Sequence, residues 1–182
     1  RATLSFFEDD VREAIFRQRG IVDGATITSF QNLTHVRTRG VELAFEEKGL
    51  GLEDLDFRIH GSYMDAEIEK NVGDPTVEGN QFPRVPDFRA GFLATSHITD
   101  AWDFAVAGRH QRRRFNDLDN HDKNARTFGG MSKFLIFDLK TSWEFGPGKS
   151  ISFGIDNLLD EDYFAHHPFP QRTFFLEGEW RF

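Results

Sequence analysis

Between residues 135 and 145 the chain alternates with a period of two. Leu135, Phe137, Leu139, Thr141, Trp143 and Phe145 share one face of an extended strand, while Ile136, Asp138, Lys140, Ser142 and Glu144 share the other. The C-terminal stretch repeats the pattern. Phe174, Leu176, Gly178, Trp180 and Phe182 alternate with Thr173, Phe175, Glu177, Glu179 and Arg181, and Phe175 alone breaks it. The same signal runs through Leu55, Phe57, Ile59, Gly61 and Tyr63, through Phe88, Ala90, Phe92 and Ala94, through Trp102, Phe104, Val106 and Gly108, and through Ile151, Phe153 and Ile155. Two less regular candidates lie near residues 2–17 and 25–47, which makes about eight strands.

The connections are unequal. Short turns are expected near residues 47–54, 97–101 and 146–149, the last being Gly146-Pro147-Gly148-Lys149. Longer polar connections are expected near 17–24, 65–84, 115–132 and 158–172. Such alternation of short and long loops is the habit of up-and-down outer-membrane barrels, whose short turns face the periplasm. On that assignment the last strand runs inward. Trp102, Trp143 and Trp180 then all fall at the periplasmic end of their strands and on the apolar face, as an interfacial aromatic girdle requires, with Phe45, Phe145 and Phe182 fitting the same belt.

A soluble sandwich or lipocalin-like barrel would produce the same alternation by burying its apolar face. Composition shifts the balance. Phe accounts for 21 residues against 2 Tyr, yet charged residues still make up 29%, a mixture suited to lipid outside and a hydrated lumen inside. A net charge of -8 argues against nucleic acid as a partner. No cysteine is present, so disulfides and thiolate metal sites are excluded. No stretch approaches the roughly 18 apolar residues of a spanning helix, so any membrane crossing uses strands.

Several segments, in order, resemble the C-terminal part of TonB-dependent outer-membrane receptors. They are Ser29-Phe30-Gln31-Asn32 followed by Arg39-Gly40-Val41-Glu42-Leu43, then Asp156-Asn157-Leu158-Leu159-Asp160 leading to Tyr163, and finally Glu179-Trp180-Arg181-Phe182. The resemblance implies an all-β, antiparallel transmembrane barrel of about 22 strands, of which residues 1–182 would supply the last eight or so. The plug domain and N-terminal strands would lie outside this chain. It also implies import of a scarce nutrient, a ferric siderophore first, in the outer membrane of a Gram-negative bacterium. The implied partners are the TonB energy-coupling complex, the barrel-assembly machinery reading Phe182, lipopolysaccharide and a small metal chelate. A small closed eight-stranded barrel of structural or adhesive role, and a soluble β-protein binding a hydrophobic ligand, are the competing readings. Gly40 is expected to admit a bend or a bulky neighbour against bare backbone, and Asn157 to close a turn.

Candidate chemistry is sparse. His166 and His167, before Pro168, suggest contact with a metal chelate, although adjacent residues on an extended chain diverge. The 117–122 run, Asp-Leu-Asp-Asn-His-Asp, opens like a calcium loop but lacks its glycine and its final acid, so an EF-hand is excluded. Strand alternation is expected to send Arg109, Gln111 and Arg113 toward the lumen, for an anionic ligand or for neutralising Asp138 and Glu144, and Arg112 and Arg114 outward to lipopolysaccharide phosphates. Arg37 and Arg39 are weaker candidates. No phosphate cradle, nucleophile elbow or zinc-protease helix occurs, so neither catalysis nor a cofactor nor a resident metal is expected.

Overall fold

The computed structural model describes residues 1–50 and 54–181, with the side chains of residues 18–22 and 26 left aside. Its strands are β1 (Ala2–Val22), β2 (Ala25–Glu47), β3 (Leu55–Lys70), β4 (Phe88–Thr99), β5 (Trp102–Gln111), β6 (Phe134–Gly146), β7 (Lys149–Asp156), β8 (Phe164–Ala165), β9 (His167–Pro168) and β10 (Thr173–Trp180). Eight of them form one antiparallel sheet in the order β1-β2-β3-β4-β5-β6-β7-β10, while β8 and β9 make a two-residue ladder in the last loop. The large sheet is an open arc, with β1 and β10 at its two edges.

Register turns the sequence alternation into two chemically distinct faces. Leu4 faces Leu43, Phe45 faces Ile59, Ile59 faces Phe92, Ala94 faces Val106, Val106 faces Leu139, and Leu139 faces Ile155, which faces Phe174. A slip of one residue anywhere would put charges among these side chains, so the pattern fixes the pairing. On the opposite face a polar row crosses five strands: Ser5, Glu42, Ser62, Arg89 and Gln111. Arg89 Nε donates to Ser62 Oγ at 2.9 Å, and the Ser142 and Ser152 hydroxyls lie 2.8 Å apart.

The exceptions to alternation have one cause. Phe7 and Phe175 lie on the polar face, opposite Gly40 and Gly154. A Cβ on Gly40 would come within 2.6 Å of both the Phe7 ring and the Tyr63 carbonyl, and the Phe175 ring occupies the space beside Gly154 in the same way. Each ring covers the backbone that its glycine leaves bare, the arrangement that stabilises glycine-containing strand pairs. Gly40 thus admits a bulky neighbour, one of the two roles expected of it.

The long connections 71–87, 112–133 and 157–172 gather at one end of the sheet, and the best-buried apolar side chains are there. Phe16, Leu33, Val36, Ile68, Val77 and Leu118 form one cluster, in which Leu33 and Ile68 are fully buried. Irregularities in the strands make this possible. Glu13 takes a left-handed conformation, and the β2–β3 register shifts between His35 and Val36, so the strands twist and redirect their side chains above these points.

One expected connection is absent. The chain at 17–24 is not a long loop: β1 and β2 continue as a ladder to Val22 and Ala25, joined by Asp23 and Gly24. Both turn residues have positive φ, 51° and 79°, which is the type I′ hairpin geometry that Asp-Gly favours. Likewise β3 extends to Lys70, well into the stretch expected to be loop.

Candidate functional site

The loop end contains a cavity of about 700 Å³, lined by Arg17 from β1, Arg84, residues Asn116, Asp117 and Asp122 of the 112–133 connection, Phe128 to Gly130, and His166 with His167. Each wall has a local cause. Arg84 has φ 69°, its N–H bonds the Phe115 carbonyl at 2.8 Å, and its guanidinium lies 5.3 Å from the centre of the Phe16 ring, so the buried cluster positions this cation. His166 is left-handed and is clamped by its N–H to the Gly130 carbonyl, 2.9 Å, and by the Gly129 N–H to its own carbonyl, 2.6 Å. That backbone twist solves the divergence of adjacent residues and lets both imidazoles line one cavity. The His167 ring packs edge-on against Phe128 at 4.9 Å.

The carboxylates of the 117–122 run serve the local backbone. Asp122 Oδ2 accepts from the Asn116 N–H at 2.9 Å, and Asp119 Oδ1 accepts from the His121 N–H at 3.1 Å. Burial, reinforced by Asp122 and Asp119, pushes the Asp117 carboxyl above its ordinary value, with Arg84 opposing. Burial also lowers His166, helped by the positive charges of Arg84, His167 and Arg114. The cavity therefore presents the packed guanidinium of Arg84 and the exposed one of Arg17, beside Asp117, Asp122 and a histidine that resists protonation.

The expected site residues divide into groups. His166 and His167 reach the cavity. Arg109 sits on the polar face of β5, where Nη2 donates to Asp138 Oδ2 at 2.8 Å; this is the neutralising role weighed for it, and half of its side chain remains exposed. Asp138 Oδ1 also accepts from the Asn157 N–H at 2.9 Å. Gln111 follows on the same face, and with its amide oxygen toward Arg114 it accepts from Nε at 3.0 Å.

The alternation expected for Arg112 to Arg114 fails because β5 ends at Gln111. Arg112 stays exposed, ion-paired to Asp87 at 3.0 Å and lying 5.7 Å from the Phe88 ring centre. Arg113 packs over Phe115 at 4.6 Å and donates to the Asp122 carbonyl. Arg114 does not point outward as expected: it folds into the loop layer beside Gln111, and its loss of solvent lowers its pKa. Arg17 and Arg84 carried no sequence signal as site residues, because what assembles them is the hairpin extension and the buried cluster.

At the opposite end Trp102 pairs with Trp143, and Phe145 bridges Trp143 and Trp180 at 5.9 Å and 5.7 Å between ring centres. Trp102 Nε1 donates to Thr141 Oγ1 at 2.7 Å, so its polar tip is satisfied without leaving the apolar face. The three tryptophans thus share one end and one face; Phe182 lies outside the described residues.

The Asn157 turn also takes shape. Asn157 is left-handed; its Oδ1 accepts from the Glu161 N–H and its Nδ2 donates to the Glu161 carbonyl, both at 2.9 Å. Tyr163 is buried between Phe134 and Phe169, with ring centres at 4.7 Å and 4.8 Å. This knot seats the final loop, and with it His166 and His167, on the end of the sheet.

An open antiparallel arc with apolar and polar faces, short turns and an aromatic band at one end, and packed loops around a charged cavity at the other is the architecture of a membrane-barrel wall. The chain belongs to the family described as TonB-dependent receptor-like, β-barrel, whose model matches residues 1–158. It resembles the siderophore receptor PiuA from Acinetobacter baumannii (18% identity, TM-score 0.76, covering 98% of this chain and 26% of that one). It also resembles the copper transporter OprC (19%, 0.75, 100% and 28%) and the ferric citrate transporter FecA in its unliganded form (20%, 0.71, 81% and 24%). At these identities the likeness concerns the fold, and the chain spans about a quarter of the length of the receptors it matches. The family resides in the outer membrane of Gram-negative bacteria, and its members are receptors and transporters rather than enzymes.

Proposed function

We propose that residues 1–182 are the C-terminal part of the barrel domain of an outer-membrane importer that takes up an anionic metal chelate, with a ferric siderophore as its substrate. The observation that carries this reading is the loop-end cavity, where Arg17 and Arg84 stand beside His166 and His167 over polar walls. A guanidinium held by packing, as Arg84 is over Phe16, binds carboxylate, catecholate or hydroxamate oxygens with little ordering cost. The neighbours described as a siderophore receptor and a ferric citrate transporter support the substrate class.

On this reading the apolar face meets lipid, the tryptophan end faces the periplasm, and the open edges of β1 and β10 pair with the remaining strands, because unpaired strand edges are untenable in a bilayer. Arg109 and Gln111, on the polar face below the loops, are secondary contacts along the ligand's inward path. Arg112 meets lipopolysaccharide phosphates, Phe182 is read by the barrel-assembly machinery, and energy arrives through TonB at a segment outside this chain. No catalytic step is involved.

The test is uptake of radiolabelled ferric chelates by iron-starved cells, with and without the gene and with energy coupling intact or removed. Energy-dependent uptake that vanishes with the gene is expected. In the complete receptor Arg84→Ala should weaken chelate binding about tenfold or more, the worth of one charge-assisted hydrogen bond. Uptake that is unaffected for every ferric chelate tested would overturn the iron assignment.

A further inference from the structure

We propose that Asp10, His35 and Glu69 form a binding site for a divalent transition-metal ion on the outer side of the barrel wall, just beyond the apolar belt. The three side chains come from three adjacent strands, β1, β2 and β3, and one donor atom of each lies within 4.8 Å of the others. Among the described residues this is the one such grouping of His and carboxylate donors. It is not a random meeting of exposed groups. The register shift between His35 and Val36 leaves Glu69 as the extra residue of a bulge, with Val36 facing Ile68 and His35 facing Lys70, and a bulge is a device for re-aiming a side chain.

His35 Nε2 lies 2.7 Å from Asp10 Oδ1, and Nδ1 lies 3.0 Å from Glu69 Oε2. The other Glu69 oxygen is gripped by Arg37, an outer-layer contact of the kind that orients a ligating carboxylate. His35 and Glu69 are about three-quarters buried, at 27% and 22% exposure, so their rotamers are restrained before any ion arrives. Neighbouring Glu8, Asp65 and Glu67 face Arg37 and Arg39 across the strands, and Arg12 and Lys70 flank His35, so the surrounding charges nearly balance and the attraction for a cation comes from Asp10 and Glu69 themselves.

One imidazole with two carboxylates suits borderline ions such as Zn²⁺, which are held at about 2.0–2.2 Å with ligand atoms roughly 3.4 Å apart, so on loading the 2.7 Å and 3.0 Å contacts to His35 open slightly while the donor atoms that lie up to 4.8 Å apart draw together around one ring nitrogen. Calcium is a poor fit, since it requires six to eight oxygens. The site's geometry is independent of the cargo cavity; its position outside the lipid belt rests on the barrel reading.

The test is calorimetric titration of Zn²⁺ into the complete detergent-solubilised receptor after chelator stripping. One ion per barrel is expected, weakened at least tenfold by His35→Gln and by Glu69→Gln, unchanged by His166→Ala with His167→Ala, and not reproduced by Ca²⁺. Heat-modifiable gel migration of each variant checks folding, and the two size-conserving substitutions are chosen so that at least one folded variant reports. Zn²⁺ binding that is absent, or that survives in the folded His35→Gln or Glu69→Gln variant, overturns the proposal. Binding lost only in the His166 and His167 variant overturns it as well, and assigns the ion to the cargo cavity.

Discussion

At the scale of single residues, backbone closeness and burial decide more than charge does. Gly40 is flanked by the Phe7 ring and the Tyr63 carbonyl, so a valine there must push one of them aside. Gly40→Val is expected to cost about 1–3 kcal/mol, the usual range for overpacking, read as a fall in the melting temperature of the complete barrel. Phe7→Ala in the same background should recover part of the loss; no recovery would mean that the Tyr63 carbonyl is the controlling contact. His166 gives a pH prediction. Its pKa is lowered below 6.5, chiefly by burial, so the unfolded chain takes up a proton before the folded loop does. Its contribution to stability is fully present above about 6.5 and is lost as pH falls through that region. Hydrogen-exchange protection in the 157–172 loop, taken relative to the intrinsic rate at each pH, should fall on acidification in the native protein and lose that dependence in His166→Gln. An identical pH response in both would remove His166 as the cause.

At the scale of elements, the hairpin of β1 and β2 shows where sequence reading ran out. The regular strands, β6 and β10 above all, were legible because one face of each meets an apolar environment and so must alternate. Above Glu13 the apolar side chains divide, Phe16 and Leu33 entering the loop cluster while Ile15 and Phe30 stay exposed, the period weakens, and the stretch at 17–24 reads as a polar connection although it is strand as far as Val22. The Asp23-Gly24 pair was the available signal. Gly24 lies in open space, but its φ of 79° is a backbone conformation that a β-branched side chain disfavours, so Gly24→Val should loosen the hairpin tip by roughly 1 kcal/mol. Amides near the tip should exchange faster while the barrel's melting temperature holds; a global fall would show that the tip is coupled to the membrane-embedded strands. The cavity illustrates the same limit. His166 and His167 were visible as a pair, whereas Arg17 and Arg84 enter only because the hairpin extends and because Phe16 packs under Arg84. Tertiary assembly, not local pattern, selects those cations.

At the scale of the whole molecule, the two faces of the sheet face opposite solvents, and this asymmetry separates a membrane barrel from a soluble sandwich. Leu139 lies on the apolar face between Val106 and Ile155, about midway along its strand. Lys140, the next residue, lies on the polar face and pairs with Glu177 at 3.5 Å, both side chains being largely solvated. If the apolar face meets lipid, Leu139→Arg brings a charge toward the bilayer midplane and should destabilise the reconstituted receptor by about 2–4 kcal/mol. Lys140→Ala removes one exposed ion pair and should change stability by less than about 1 kcal/mol. Urea unfolding in bilayers measures both, and repeating it in detergent micelles supplies the control. In micelles, whose surface deforms around a charge, the Leu139→Arg penalty should shrink. A penalty equally large in both media would mean that Leu139 packs against protein, and the arc would then be half of a sandwich rather than a wall facing lipid.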